Sequence, residues 1–362
     1  MAAGERAEIE AAYALNGYRF HTEEFFPEDL KQEITEIRVE APGLVEDEMA
    51  RRQRRERLTL DGKLLILAAD HPGRHVTKSG DDPIAMGDRL EYLGRVLRVV
   101  ACSEVDGVMA TPDIIDELFI VNYLARERNG LDFLENRVLI GSMNRGGLAA
   151  AAFEMDDTMT AYSAEGIAER RLDAAKLMVR LDTDSYDSAA TLLYTADAVR
   201  ECHELGVPIF VESLPGKFAD GKWTAAKEAT ALIKIVGVAS ALGDTTVLTW
   251  LKLPYCDGYD KVARATTCPI LMLGGESRGD PTFTMEEFEK GLRAGGNVRG
   301  ALVGRNVLFP GSDDPAAVAQ AISVIVHSDA TTLEAVRMLS AMRGQSMDAL
   351  TRRRRARRPR NR

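Results

Sequence analysis

From residue 64 onward the chain repeats one pattern, in which a short, apolar, β-prone run is followed by a longer amphipathic segment. The runs have the length of strands and the segments have the periodicity of helices, which indicates successive parallel β/α units. The predicted strands cover residues 64–69, 107–110, 137–142, 176–181, 207–211, 247–253, 269–273 and 300–303. The main predicted helices between them cover residues 113–128, 165–170, 186–205, 225–242 and 285–294.

Eight strands spread over roughly 250 residues favour a closed (β/α)8 TIM barrel over an open doubly wound sheet. No GxGxxG follows the first strand, and GxxxxGK[ST] does not occur, so the usual nucleotide-binding signatures of open sheets are missing. The predicted fold class is therefore α/β. The predicted organisation is an N-terminal helical extension over residues 1–60, with helices near 27–39 and 46–58, the barrel over 61–330, a C-terminal helix over 331–350, and a basic, disordered tail over 351–362.

The composition is that of a soluble globular protein, with 45% hydrophobic and 28% charged residues. The formal net charge is −10, although eight of the last eleven residues are arginines, so the rest of the chain is strongly acidic and general nucleic-acid binding is not expected. The chain has no apolar run of membrane-spanning length, no apolar signal region at its start, and four cysteines without a CxxC pair. We expect a cytoplasmic protein with no membrane partner.

The sixth predicted strand contains a charged residue, Lys252, near the end of an otherwise apolar run. Burying an isolated ammonium group is costly, and a lowered pKa is one way to avoid that cost. A lysine with a lowered pKa is a neutral amine that can attack carbonyl groups. The alternative is that Lys252 ends the strand and reaches solvent or a nearby carboxylate.

Polar residues follow most of the other predicted strands, at the end where a barrel carries its active site. Asp70, Asp182 and Glu212 follow strands one, four and five, and each is a candidate general acid or base or a member of a structural salt bridge. For Glu212 the salt bridge or the binding of a substrate hydroxyl is the favoured role. Asn144 and Arg145 follow strand three. They are candidates for binding a substrate carboxylate, hydroxyl or second phosphate, or for stabilising their loop.

Glycine pairs and an arginine follow the last two strands. Gly274 and Gly275 follow strand seven, and Gly304 and Arg305 follow strand eight. Glycines allow an anion to approach backbone N–H groups closely, and barrels often bind phosphate at these two strand ends. The guanidinium of Arg305 can add a planar fork of donors for the phosphate.

Four segments together resemble the class I aldolase superfamily, which includes archaeal-type fructose-bisphosphate aldolase and deoxyribose-phosphate aldolase. They are Asp70-His71, Lys252, Cys268-Pro-Ile-Leu-Met-Leu-Gly-Gly275 and Val303-Gly-Arg-Asn306. The resemblance covers about residues 60–330 and is nearest to a branch linked to inositol breakdown. It implies cleavage of 2-deoxy-5-keto-gluconate 6-phosphate to dihydroxyacetone phosphate and malonate semialdehyde, with fructose bisphosphate as the alternative substrate.

The resemblance implies a role for each matched residue. Lys252 would form the Schiff base, Asp70 would position substrate and move protons, and the two glycine turns with Arg305 would bind phosphate. The archaeal fructose-bisphosphate aldolases have a proton-transfer tyrosine after strand four, whereas this chain has Arg180-Leu-Asp182. Either Asp182 takes over that role or the substrate differs. The resemblance also implies a homo-oligomer that needs no cofactor or metal and acts on a small sugar phosphate.

Two rival functions are compatible with the same strand ends. A metal-dependent barrel lyase or hydrolase would use Asp70, His71, His75 and Glu212 as ligands, although Pro72-Gly73 interrupts any helix that would align the two histidines. Such an enzyme would lose activity with a chelator. A non-catalytic binding barrel would use the arginine tail as an interaction arm, but this function leaves Lys252 and both glycine turns unexplained.

Overall fold

Parallel strands close into a barrel in the computed structural model, which describes residues 3–144 and 148–353. The strands are β1 (Leu64–Ala69), β2 (Gly107–Ala110), β3 (Val138–Ser142), β4 (Ala174–Leu181), β5 (Ile209–Ala219), β6 (Lys222–Ala225), β7 (Thr249–Pro254), β8 (Ile270–Leu273) and β9 (Val298–Val303). Their order is β4-β3-β2-β1-β9-β8-β7-β5, and pairing of β4 with β5 closes the ring. All eight predicted strands and the predicted TIM barrel are confirmed.

Helices surround the barrel, and further helices precede and follow it in the sequence. They are α1 (Ala3–Ala12), α2 (Thr22–Phe25), α3 (Glu28–Glu40), α4 (Leu44–Arg51), α5 (Arg89–Cys102), α6 (Pro112–Asn129), α7 (Ala164–Glu169), α8 (Asp187–Glu204), α9 (Ala229–Ala239), α10 (Tyr259–Ala263), α11 (Thr282–Leu292), α12 (Arg305–Leu308), α13 (Pro315–Ser328) and α14 (Thr332–Met342). Helix α2 packs on α5, α3 and α4 pack on α6, and α1 packs on α14, so the N-terminal helices cover the outside of the barrel. Within the described ranges, no helix is both long and apolar enough to cross a membrane.

Three predicted helices are shorter in the structure than the sequence suggested. The C-terminal helix expected over residues 331–350 covers only Thr332–Met342. The helix expected over residues 46–58 ends at Arg51. The next residue, Arg52, instead binds groups at the N-terminal end of the barrel. It donates to the backbone oxygens of Arg137 and Arg171 and forms an ion pair with Asp173. The helix expected from residue 225 begins at Ala229.

A hairpin accounts for the late start of the helix that begins at Ala229. Strand β5 continues past the barrel to Ala219, turns at Asp220 and Gly221, both with positive φ, and pairs antiparallel with β6. An Asp-Gly pair between β-prone runs is a recognised hairpin signal. The hairpin rises from the C-terminal ends of the strands and places Trp223 beside the barrel mouth.

Side-chain alternation along the strands separates the barrel interior from the layer beneath the helices. The interior cluster is apolar and consists of Leu64, Ile66, Ala68, Met109, Val138, Ile140, Ala174, Phe210, Leu271 and Leu302. A much larger apolar cluster fills the space between the strands and the helices. Continuing the inward-facing positions of β4, β5 and β7 toward their C-terminal ends brings Lys176, Glu212 and Lys252 into the mouth of the barrel. The apolar interior thus forms the floor of a polar site.

Candidate active site

A cavity of about 640 Å³ opens at the C-terminal ends of the strands. This volume is within the usual range for small-molecule sites. It is lined by seven of the predicted site residues, namely Asp70, Glu212, Lys252, Gly274, Gly275, Gly304 and Arg305. The barrel therefore brings together residues that lie up to 235 positions apart in the sequence.

Lys252 lies on β7 directly opposite Glu212 of the neighbouring strand β5. Its Nζ is 2.9 Å from Oε2 of Glu212, and only 5% of the residue is exposed. Burial lowers the pKa of Lys252, Glu212 opposes this shift, and the Lys176 ammonium adds to it, with a pKa below the ordinary value as the net result. Lys252 thus combines access to the cavity with a reduced preference for the charged form. Both interpretations of this lysine hold in part, since it is paired and has a lowered pKa.

A second buried lysine, Lys176 on β4, completes the charge cluster and was missed by the sequence analysis. Its Nζ lies 2.8 Å from Oε2 of Glu212 and 3.2 Å from Oδ2 of Asp70, and the residue is fully buried. The same carboxylate oxygen of Glu212 therefore contacts both lysines. The signal was present, because Lys176 interrupts an apolar strand just as Lys252 does.

The two carboxylates of the cluster are held in their ionised form. Burial would raise the pKa of Asp70, but Lys176 and Arg74 outweigh this effect and place it below its usual range. Burial likewise opposes ionisation of Glu212, whereas Lys176 and Lys252 lower its pKa to about 2. The neighbouring His71 is lowered to a pKa of about 3, chiefly by burial, and is therefore neutral at physiological pH.

The predicted phosphate turns form one wall of the cavity. A Cβ on Gly304 would lie 2.6 Å from Cε1 of His71, and Gly275 has a φ of +73°, so both positions favour glycine. The Asn306 side chain donates to the backbone oxygen of Gly274, which ties the two turns together. Arg305 donates to Glu276 through Nη1, at 3.2 Å, while its Nε is buried without an acceptor among the described residues. This wall offers backbone and guanidinium donors to an anion.

The opposite wall carries two more arginines and the hairpin tryptophan. The guanidinium of Arg180 is bound to Glu154 and Asp157 and lies 5.6 Å from the ring centroid of Trp223. Arg74 follows β1 and contacts the sulfur of Met178. Arg74 and Trp223 were absent from the predicted site, since neither directly follows a predicted strand.

Two of the polar residues predicted after strands three and four, Asp182 and Asn144, do not line the described cavity. The carboxylate of Asp182 accepts from the backbone N–H groups of Asp184 and Phe218, so it joins the end of β4 to the hairpin. The Asn144 side chain is fully buried and exchanges hydrogen bonds with the backbone of Met178. Arg145 lies outside the described residues. The structure thus favours structural roles for Asp182 and Asn144.

The residues proposed as metal ligands do not form a compact ligand set. In the ranges 3–144 and 148–353, no group of three or more His, Cys, Asp or Glu side chains is arranged to hold a metal ion. His75 is exposed and bonds to the backbone oxygen of Ala149. Asp70 and Glu212 contact lysine ammonium groups instead.

Comparisons with known proteins agree with the geometry. A family model described as Cgl0159-like matches residues 62–324. The crystal structure of Cgl0159 from Corynebacterium glutamicum has 38% sequence identity and a TM-score of 0.76, covering 83% of this chain and 97% of that one. A 2-amino-3,7-dideoxy-D-threo-hept-6-ulosonate synthase of Archaeoglobus fulgidus is 23% identical over 78% of this chain and 92% of its own.

More distant solved structures share the fold. A Schiff-base-forming fructose-1,6-bisphosphate aldolase has 21% identity and a TM-score of 0.54, covering 78% of this chain and 100% of that one. These findings together confirm the predicted resemblance to the class I aldolase superfamily.

Proposed function

The chain belongs to the Cgl0159-like family, and from this membership and the geometry of the barrel mouth we propose that it cleaves or forms a carbon–carbon bond in a phosphorylated keto sugar acid through an imine on Lys252. The observation that carries this proposal is the position of Lys252. It is a buried amine with a lowered pKa, it lies 2.9 Å from a carboxylate, and it faces a cavity with an anion-binding wall.

The first half of the reaction forms the imine. Lys252 transfers a proton to Glu212 and attacks the substrate ketone, which gives a carbinolamine. Glu212 then returns the proton to the departing hydroxyl, water leaves, and a protonated imine remains. Loss of the Lys252 proton removes one of the two ammonium groups beside Glu212, so the basicity of this carboxylate rises at the moment when it must hold a proton.

The second half breaks the carbon–carbon bond. Asp70 takes the proton of the hydroxyl on the carbon that becomes the aldehyde, and the bonding electrons move into the imine to give an enamine. Protonation of the enamine carbon and hydrolysis then regenerate Lys252 and release the ketone phosphate. The Nζ of Lys176 holds Asp70 and Glu212 at 3.2 and 2.8 Å, which fixes both proton carriers around the reacting carbon.

The favoured substrate is 2-deoxy-5-keto-gluconate 6-phosphate, cleaved to dihydroxyacetone phosphate and malonate semialdehyde. The glycine turns and Arg305 would bind the phosphate, and the opposite wall also contributes arginine side chains, as a second anionic group requires. Fructose 1,6-bisphosphate is the second candidate. It has the same spacing between phosphate and ketone, and aldolases for this sugar share the fold.

Borohydride trapping tests the proposal without a choice between the two substrates, because both yield dihydroxyacetone phosphate. The protein is incubated with this ketone and borohydride, and its intact mass and peptides are then measured. We expect one stable adduct on the peptide that contains Lys252 and none in a Lys252→Met variant. An adduct on Lys176 would reverse the roles of the two lysines. Absence of any adduct on the folded protein, beside a working control aldolase, would refute the imine mechanism.

A further inference from the structure

Arg74 has an unusual position in the cavity, since its backbone and its guanidinium group lie near different strands. The residue ends a single turn of 3-10 helix (Pro72–Arg74) that directly follows Asp70 and His71 at the end of β1. The next residue, His75, has a left-handed backbone with a φ of 64°, and the backbone oxygen of Arg74 accepts from Ala149 in the loop after β3. The backbone is thus held on both sides while the side chain points across the mouth.

The guanidinium of Arg74 reaches the side of the barrel opposite the phosphate turns. Its Nη2 lies 3.3 Å from the sulfur of Met178 on β4. In the closed ring, β4 is four strands away from β9 in either direction, so it faces the strand that ends in Gly304 and Arg305. Lys252 lies between these two positions, on β7. A substrate bound to Lys252 can therefore extend from Arg305 on one side to Arg74 on the other.

The hydrogen-bonding capacity of Arg74 is largely unused within the described part of the chain. Its Nε is buried without an acceptor, and no carboxylate within residues 3–144 and 148–353 forms an ion pair with it. Arg180 on the same wall differs, because Glu154 and Asp157 already neutralise it. A buried donor without an acceptor is unfavourable, so Arg74 is suited to an acceptor that arrives with the substrate.

We propose that Arg74 binds the carboxylate of the substrate and thereby selects keto sugar acids over neutral sugars. This inference rests on the proposed imine chemistry and adds the group that recognises the non-phosphorylated end. A carboxylate offers two coplanar oxygens that match the Nε and Nη donors of one guanidinium. In a 5-keto acid 6-phosphate the phosphate-bearing carbon adjoins the ketone and the carboxylate lies four carbons away, so one molecule can satisfy Arg305, Lys252 and Arg74 together.

The test compares substrates that differ only at the far end. Wild type, Arg74→Gln and Arg74→Lys are assayed with 2-deoxy-5-keto-gluconate 6-phosphate, with its C1 carboxamide analogue, and with fructose 1,6-bisphosphate. We expect R74Q to lower kcat/KM for the acid by roughly 10- to 100-fold, mainly through KM, and to change it for the amide by less than about threefold. R74K keeps the charge but loses the fork, so an intermediate loss is expected for the acid.

Each of the other possible outcomes would overturn or reassign the proposed role of Arg74. Equal losses for acid and amide would assign Arg74 to the framework of the site and overturn the proposal. A loss confined to fructose 1,6-bisphosphate would make the subsite a phosphate site instead. If wild type cleaves neither the acid nor the bisphosphate although dihydroxyacetone phosphate is trapped on Lys252, the carboxylate assignment fails while the imine mechanism stands. Failure of trapping in wild type would refute both. Trapping by R74Q verifies that this variant is folded and that its Lys252 is competent.

Discussion

Replacement of Lys176 by methionine tests whether the charge cluster sets the reactivity of Lys252. The Nζ atoms of Lys176 and Lys252 lie 2.8 and 2.9 Å from the same oxygen of Glu212, so they are at most about 5.7 Å apart. At an effective dielectric constant of 20, two like charges at that distance repel by about 3 kcal/mol. Removing this repulsion favours the charged form of Lys252 by roughly a hundredfold, since about 1.4 kcal/mol corresponds to a factor of ten.

The expected result is a slower formation of the imine and a changed pH dependence. A neutral Lys252 is the reactive form, and Lys176 contributes to its lowered pKa, so K176M raises that pKa and moves the ascending limb of the trapping rate to higher pH. At neutral pH we expect the rate of borohydride trapping with dihydroxyacetone phosphate to fall by up to about a hundredfold, with partial recovery in alkaline buffer. Initial trapping rates measured across pH provide the assay.

K176M also leaves Asp70 without its ammonium partner, and loss of one member of a buried ion pair typically costs about 3–5 kcal/mol of stability. The rates are therefore compared below the thermal transition of the variant, which circular dichroism locates. Lys217→Met is the matched control, because Lys217 is an exposed lysine on the hairpin that pairs with Asp184. A K176M profile that coincides with wild type and the control would refute the electrostatic argument.

Three further predictions address other parts of the structure. Asp182→Asn is expected to lower the melting temperature, because its carboxylate accepts from two backbone N–H groups, while the pH profile of trapping stays unchanged; a lost limb of that profile would restore the catalytic role predicted from the sequence. Gly304→Ala is expected to weaken trapping of dihydroxyacetone phosphate much more than trapping of dihydroxyacetone, because the added Cβ would meet His71 beside the proposed phosphate site, and equal losses would contradict that site. His327 bridges Asp61 and Asp106, which raise its pKa against the opposing effect of burial, so its contribution to stability is present below its ordinary pKa near 6.5 and is lost as the pH rises through the raised value. His327→Gln should therefore reduce the loss of thermal stability on moving from pH 6 to pH 9, and an unchanged loss would contradict this account.

The sequence was sufficient to predict the barrel because each strand is defined locally. Eight apolar runs with helix-length spacers leave few architectures, and the strand ends identify the face that carries the site. The hairpin was missed, because the Asp220-Gly221 turn signal lies in a stretch between the predicted fifth strand and the next predicted helix to which no strand was assigned.

Within the site, the direction of a side chain follows most directly from the sequence where the residue lies inside a strand. Lys252 and Glu212 lie within strands, where alternation determines that they point into the barrel, and Lys176 follows from the same rule once β4 is recognised to begin at Ala174. Asp182 lies one residue beyond the end of β4, where alternation no longer applies, and its carboxylate turns toward the backbone of the hairpin. Arg74 lies four residues beyond its strand, and its direction depends on the 3-10 turn, the left-handed His75 and the contact with Ala149. The residues inferred to perform the chemistry therefore lie in or directly beside the strands, whereas Arg74, proposed to choose the substrate, lies in a loop whose conformation depends on tertiary contacts.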